Sequence, residues 1–280
     1  MRIRIATALL FIFAITPAAF PETPEEIGAR LMKKNDDRPV FEKLKATGTL
    51  VIYNSSGDIR FKKIIKIGVY TTNMGTPQFC EKYIASFISP PDDKGNSFLM
   101  YHYKSQPDVK WVYLKGIRKA KKVTGADKKL SFFGSDFTNG ETGKPNYLEW
   151  TYKYLGDEQV KFKGKNFDCY KIEALPKNRS IMSEYGTGRM VSYLEKKTLL
   201  TLQRDHYDEN MIKVKELRLL SFFTKPNVKG ENVMYETGIE MKNVNTGTKS
   251  HLLFSAIETE GKANLRTDIF TEQYLTQKWW

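Results

Sequence analysis

The segment Ile59-Arg60-Phe61-Lys62-Lys63-Ile64-Ile65-Lys66-Ile67-Gly68-Val69 alternates with a period of two. Ile59, Phe61, Ile65, Ile67 and Val69 fall on one side, and Arg60, Lys62, Lys66 and Gly68 on the other. Successive side chains of an extended chain point to opposite faces, so this pattern predicts a strand with one face buried. The same alternation recurs in 46–53, 79–88, 97–103, 109–115, 147–155, 166–175, 188–195, 199–207, 211–222, 233–243 and 248–258. Gly, Asn, Asp or Pro separates most of these runs. About twelve closely spaced strands predict an antiparallel meander, not alternating strand–helix units. That number is too high for one flat, open sheet, so the sheet should curl into a barrel or pack as a sandwich.

Two kinds of segment depart from the pattern. At 23–26, Thr23-Pro24-Glu25-Glu26 has the spacing of a capping box with proline in the first turn. Ile27 and Leu31 share a helical face and Lys33-Lys34-Asn35 suits a C-terminal end, which predicts a helix over about 24–34. The stretch 116–146 is neither strand-like nor helical: a basic run leads into Ser131-Phe132-Phe133-Gly134-Ser135-Asp136-Phe137 and a Gly-, Asn- and Pro-containing loop. A short terminal helix is expected within 266–280. No repeat, low-complexity segment or composition break calls for a second domain.

The chain has 280 residues and a formal charge of +13, from 45 Lys and Arg against 32 Asp and Glu. Its 17 Phe, 15 Tyr and 4 Trp exclude a disordered chain. A charge of this sign suggests nucleic acid, but the N-terminus argues otherwise. Arg2 and Arg4 precede the apolar run 5–15, followed by Thr16-Pro17-Ala18-Ala19. These are the parts of a secretory signal peptide cleaved near Ala18 or Ala19. The run is shorter than the roughly 18–20 residues of a spanning helix. Residues 1–19 are therefore read as the signal and 20–280 as one mature domain, whose charge falls to +11 once Arg2 and Arg4 are removed. An exported protein of that charge is expected to meet anionic lipid or an acidic protein face, and not nucleic acid.

No sequence motif supports an enzyme. Gly-x-Ser-x-Gly, a phosphate loop, His-Glu-x-x-His and Cys-x-x-Cys are all missing. Asp205-His206-Tyr207-Asp208-Glu209 is the densest ionisable cluster, and it reads as a turn between two strands. No catalytic residue, metal or cofactor is expected. Cys80 and Cys169 either pair across nearly ninety residues or remain two buried thiols.

The aromatic residues concentrate in 98–154. In a strand, residues two apart share a face, so Trp111 with Tyr113, and Trp150 with Tyr152, form stripes. Such stripes either fill a core or line an apolar cavity. The basic run 116–129 carries five net positive charges, and serves either as a solvated loop or as a dock for an anionic surface.

Three boxes bear a resemblance to a known family. Pro91-Asp92-Asp93-Lys94-Gly95-Asn96-Ser97-Phe98-Leu99, Trp111-Val112-Tyr113-Leu114-Lys115-Gly116-Ile117-Arg118-Lys119 and Ser131-Phe132-Phe133-Gly134-Ser135-Asp136-Phe137-Thr138 resemble, in order and spacing, the motifs of the LolA-like outer-membrane lipoprotein-sorting family. Cys169-Tyr170-Lys171-Ile172-Glu173 and Phe270-Thr271 with Tyr274-Leu275 are similar to its later landmarks. Lys115 stands where the family has proline, and Asn139-Gly140-Glu141-Thr142 lacks its aromatic–acidic continuation.

The resemblance implies a mainly β fold: an incomplete antiparallel β-barrel of about eleven strands, with short helices closing the open side. It also implies a periplasmic, monomeric carrier of lipid or lipoprotein acyl chains, loaded by an inner-membrane permease and unloaded to an outer-membrane acceptor. On that reading Phe98, Met100, Trp111, Tyr113, Trp150 and Tyr152 line the cavity, and Phe132, Phe133 and Phe137 form its lid. Lys94, Arg118, Lys119, Lys121 and Lys122 form a rim that meets headgroups or a partner. The alternatives are a transmembrane outer-membrane barrel and an envelope-binding module without a cavity.

Overall fold

Thr23 caps the first helix of a computed structural model that describes residues 21–280. Its hydroxyl accepts from the Glu26 N–H at 3.2 Å, while the Glu26 carboxylate accepts from the Thr23 N–H at 2.8 Å. The expected capping box is thus formed, with Pro24 in the first turn of α1 (Pro24–Asp36). The signal peptide expected at 1–19 lies outside the described residues.

Thirteen strands follow. The first six are β1 (Lys43–Tyr53), β2 (Ile59–Thr72), β3 (Cys80–Ser89), β4 (Ser97–Tyr103), β5 (Val109–Leu114) and β6 (Lys119–Lys122). An insert, 123–149, leads to β7 (Trp150–Phe162) and β8 (Lys165–Pro176), then to α2 (Arg179–Tyr185). The chain closes with β9 (Arg189–Glu195), β10 (Thr201–Tyr207), β11 (Lys213–Pro226), β12 (Asn232–Asn243) and β13 (Lys249–Thr259). All twelve predicted strands are present. The added strand is β6, whose Lys-Ala-Lys-Lys sequence has no alternation to detect. The terminal helix expected within 266–280 is only a 3-10 turn, Glu272–Thr276.

All pairings are antiparallel, and the sheet runs β6-β5-β4-β3-β2-β1-β13-β12-β11-β10-β9-β8-β7. Each half of the chain is a meander, and the two meet where β1 pairs with β13. The fold is mainly β, an incomplete barrel with thirteen strands where about eleven were expected. β6 and β7 are its free edges. A sheet that crosses a membrane must close, because an open edge leaves backbone groups unpaired in lipid. The transmembrane-barrel alternative therefore conflicts with this topology. Among the described residues no helix is long and apolar enough to cross a membrane.

The inner face buries Leu44, Leu50, Ile65, Ile67, Val69, Phe98 and Met100 in one cluster. On the outer face Ile84 and Leu99 pack under the C-terminal segment, through Ile269, Phe270 and Leu275. That segment is tied down by Ser97 Oγ donating to the Leu275 carbonyl and Tyr101 OH to the Phe270 carbonyl, both at 2.6 Å.

Helix α1 lies across β7 with Leu31 and Met32 against Trp150, Tyr152 and Ile172. Gly28 makes the approach possible: a Cβ there would stand 2.8 Å from the backbone N, Cα and C of Lys153. Backbone cannot swing aside as a side-chain tip can, so Gly28→Ala is expected to lift the helix. Overpacking costs about 1–3 kcal/mol, and improved helix propensity returns up to about 1 kcal/mol. A net loss of about 1–2 kcal/mol should appear in urea unfolding; unchanged stability would contradict this packing.

Candidate functional site: a cavity inside the half-barrel

Between the inner face, α1 and the insert lies a partly enclosed, mainly apolar cavity of about 260 Å³. Its walls come from β1–β4 and from β10–β13, with Tyr152 of β7. Leu44, Leu50, Ile65 and Ile67 line it together with Val233, Ile239, Leu252 and Phe254. Among its lining residues Pro39 and Gly143 are exposed, which places the opening between the α1–β1 link and the insert.

The insert roofs the cavity through a tight turn. Phe132 N–H donates to the Phe137 carbonyl at 2.8 Å, and the Ser135 hydroxyl caps the Phe132 carbonyl at 2.7 Å. Phe133 and Gly134 adopt left-handed conformations, φ 49° and 79°, which turns the chain so that Phe132 and Phe137 point into the cavity. Asp136 fastens the turn to β13: its carboxylate accepts from Thr248 Oγ1 at 2.5 Å and Ser250 Oγ at 2.6 Å. Lys63 holds it from β2, donating to the Phe133 carbonyl at 2.9 Å and to Asp93 at 3.0 Å.

Of the nine predicted lining and lid residues, the structure gathers five around the cavity: Phe98, Met100, Phe132, Phe137 and Tyr152. The other four sit elsewhere. Phe133 packs against Phe87 with ring centroids 4.3 Å apart, behind the roof. Trp150 is buried beneath Tyr185 and borders a separate void of about 20 Å³. Trp111 and Tyr113 are on the outer face, under the C-terminal segment. The register explains the last two. Leu99 pairs with Trp111 and Phe98 with Val112, so Trp111 belongs to the face of Leu99 and not to that of Phe98. A slip of one residue exchanges the two faces.

The predicted rim is also displaced. Lys94, Arg118, Lys119, Lys121 and Lys122 are exposed, but none lines the cavity. Lys94 sits in the β3–β4 turn, and the rest lie at or beside edge strand β6, where a paired neighbour is missing and lysine keeps the edge soluble. Leu114 and Ile117, 41% and 66% exposed, stand among them.

Several polar groups at the cavity escaped the sequence reading. Lys110 is opposite Met100 and so points inward. Its Nζ donates to the carbonyls of Asn139, Gly140 and Thr142 at 3.2, 3.0 and 2.7 Å, which fixes the insert from below. Burial lowers its pKa to about 8. Glu141 answers from the insert, accepting from Lys215 Nζ and the Thr138 N–H, both at 2.8 Å. Arg38, Lys144 and Arg204 line the wall as well.

The Asp205–Glu209 cluster straddles the end of β10 and the turn to β11, as expected: Asp208 and Glu209 are in the turn, while Asp205 and His206 are still in β10 and buried. Burial takes the His206 pKa down to about 4, so the ring is neutral at physiological pH. His102 behaves in the opposite way. Burial opposes its charge, but Asp108 at 3.0 Å from Nδ1 and Asp36 at 3.7 Å from Nε2 outweigh that and raise its pKa to about 9. Cys80 and Cys169 are both buried free thiols, on β3 and β8. Burial raises the pKa of both, that of Cys169 to about 11.

Solved structures share this architecture. A DUF1329 family protein from Desulfovibrio piger superposes with a TM-score of 0.76 at 24% identity, over 91% of this chain and 100% of that one. A candidate outer membrane lipoprotein-sorting protein domain from Vibrio parahaemolyticus gives 0.75 at 20% identity, over 90% and 100%. A LolA superfamily protein from Nitrosomonas europaea gives 0.60 at 17% identity, over 88% and 99%. No curated protein matches the sequence. A family model described as "uncharacterized protein" matches residues 80–277, more than two thirds of the chain. The chain therefore belongs to the family which that model describes, and it carries the fold of the LolA superfamily.

Proposed function

We propose that this protein is a periplasmic carrier that shields lipid or lipoprotein acyl chains inside its half-barrel while they cross between membranes. The observation that carries the reading is the cavity itself: about 260 Å³, mainly apolar, and open at one side. An apolar cavity of about 150 Å³ is enough to admit benzene. A C16 chain in water costs about 12 kcal/mol, at roughly 0.8 kcal/mol per methylene, and an apolar wall removes much of that. The likeness to a candidate lipoprotein-sorting domain supports the same role. The envelope-binding module without a cavity is the weaker reading, because it leaves this space unexplained. On this proposal the protein is a carrier and not an enzyme, and an inner-membrane permease and an outer-membrane acceptor are its partners. The exposed Arg118, Lys119, Lys121 and Lys122, interspersed with Leu114 and Ile117, suit contact with an anionic membrane or partner.

The mature protein should co-purify with lipid in native mass spectrometry and should take up a fluorescent acyl probe. Phe254→Asp is expected to weaken uptake more than tenfold, since losing contact with two methylenes costs about 1.6 kcal/mol. Phe254 is half-buried, so the new carboxylate keeps access to water and the fold survives. Leu114→Asp, on the surface, should leave uptake unchanged. Protein free of lipid that also ignores the probe would sink the carrier reading.

A further inference from the structure

The cavity wall is not uniformly apolar: Arg38, Lys144 and Arg204 all line it. Arg204 is 8% exposed and gives Nε to Ser192 Oγ at 2.9 Å, but among the described residues it has no carboxylate within ion-pair distance. Lys144 makes neither an ion pair nor a side-chain hydrogen bond there. Arg38 reaches Glu236 at 3.3 Å through Nη2, while its Nη1 is buried without a partner.

The carboxylates on the same wall are Asp36, Glu81, Glu141 and Glu236. Two of them have cations in contact: Asp36 faces protonated His102, which it shares with Asp108, and Glu141 takes Lys215. Glu236 pairs with Arg38, so Lys144 and Arg204 are the two wall cations with no carboxylate in ion-pair contact among the described residues. Burial weakens the charged forms of Lys144 and Arg204, the mark of cations not fully compensated. A buried cation without a contacting counter-charge is costly until an opposite charge joins it.

We infer that the cavity selects amphiphiles that bring one negative group inside, a carboxylate or a phosphodiester held by Lys144 and Arg204, with the tail against β2 and β4. This inference rests on the carrier reading and adds the chemical class of the cargo. Guanidinium and ammonium donors suit either oxyanion, because a charge-assisted hydrogen bond contributes more than a neutral one.

The test compares cis-parinaric acid, a fluorescent fatty acid, with its methyl ester on the wild-type protein at neutral pH. The acid should bind at least about tenfold more tightly, the yield of one hydrogen bond to a charged group. Lys144→Met and Arg204→Met should bring the two probes within about twofold of each other, with ester affinity retained. Lys144→Arg and Arg204→Lys should keep the preference. Displacement by lysophosphatidylglycerol but not by lysophosphatidylcholine assigns an anionic phosphodiester as the natural group, and displacement by neither assigns the carboxylate. Equal displacement by the two, which differ only in net charge at the headgroup, overturns selection for a negative group. Equal affinity of acid and ester in the wild type overturns the inference and leaves carriage standing. Binding of neither probe removes the carrier reading, and this inference with it. The wild-type comparison decides the matter even if a methionine variant fails to fold.

Discussion

Replacing Lys215 by methionine should destabilise the protein by about 3–5 kcal/mol, the usual result of leaving a buried carboxylate without its cation. Glu141 is that carboxylate. Burial works against its charge, yet its pKa lies below the ordinary value, chiefly because of Lys215. The neighbouring His206 ring is neutral at physiological pH, so it offers no substitute charge. Glu141 belongs to the insert and Lys215 to β11, so the pair clamps the cavity roof to the far arm of the sheet. The loss should show in urea denaturation, and amide exchange at 138–142 should accelerate more than exchange in β1. The double variant Glu141→Gln, Lys215→Met should recover most of the stability, because it removes both charges together. A single variant as stable as the wild type would show that the roof is held by other contacts.

Melting temperature should fall as pH rises from about 6.5 to 9, and His102 is the cause. Its pKa is 6.5 in a free chain and about 9 in the folded one. The stability this contributes is therefore complete below the first value and lost on passing the second, about 3 kcal/mol in all. Asp36 and Asp108, which face the ring, are held below their ordinary pKa, so their own contribution is lost only on acidification. Lys110 acts in the opposite sense: folded at about 8 and unfolded at 10.5, it adds stability with rising pH across that interval. Comparison with His102→Gln separates the two effects. The gap in stability between wild type and variant should narrow between pH 6.5 and 9; a gap independent of pH would refute the charged pair.

Much of the architecture was legible because burying one face of a strand imposes its own period. The capping box at Thr23 and twelve strands could be read in that way. Helix α2 was not, although Asn178 caps it and Gly186 ends it in a left-handed conformation; its seven residues are too few for a helical stripe. The faces were harder than the strands. Each hairpin needs its own register, and nothing local says whether Phe98 stands opposite Trp111 or Val112. Hydrophobicity also misled for Lys110 and Glu141, since each is withdrawn from water by partners that lie far away in the chain. Those partners exist only after the fold has assembled them.

The pairing of β1 with β13 has a consequence for how the molecule is made. Val51 lies opposite His251, so the middle of the sheet joins residues some two hundred positions apart. Both arms can zip locally through their hairpins, but the seam between them waits for the last strand to emerge. A chain cut short before Lys249 would carry two raw edges, β1 and β12, facing one another across an empty slot. Unpaired edges template association, so premature termination should yield aggregates and not a smaller folded domain. The final strand is in effect a keystone, and the chain becomes safe to release only when that strand is in place.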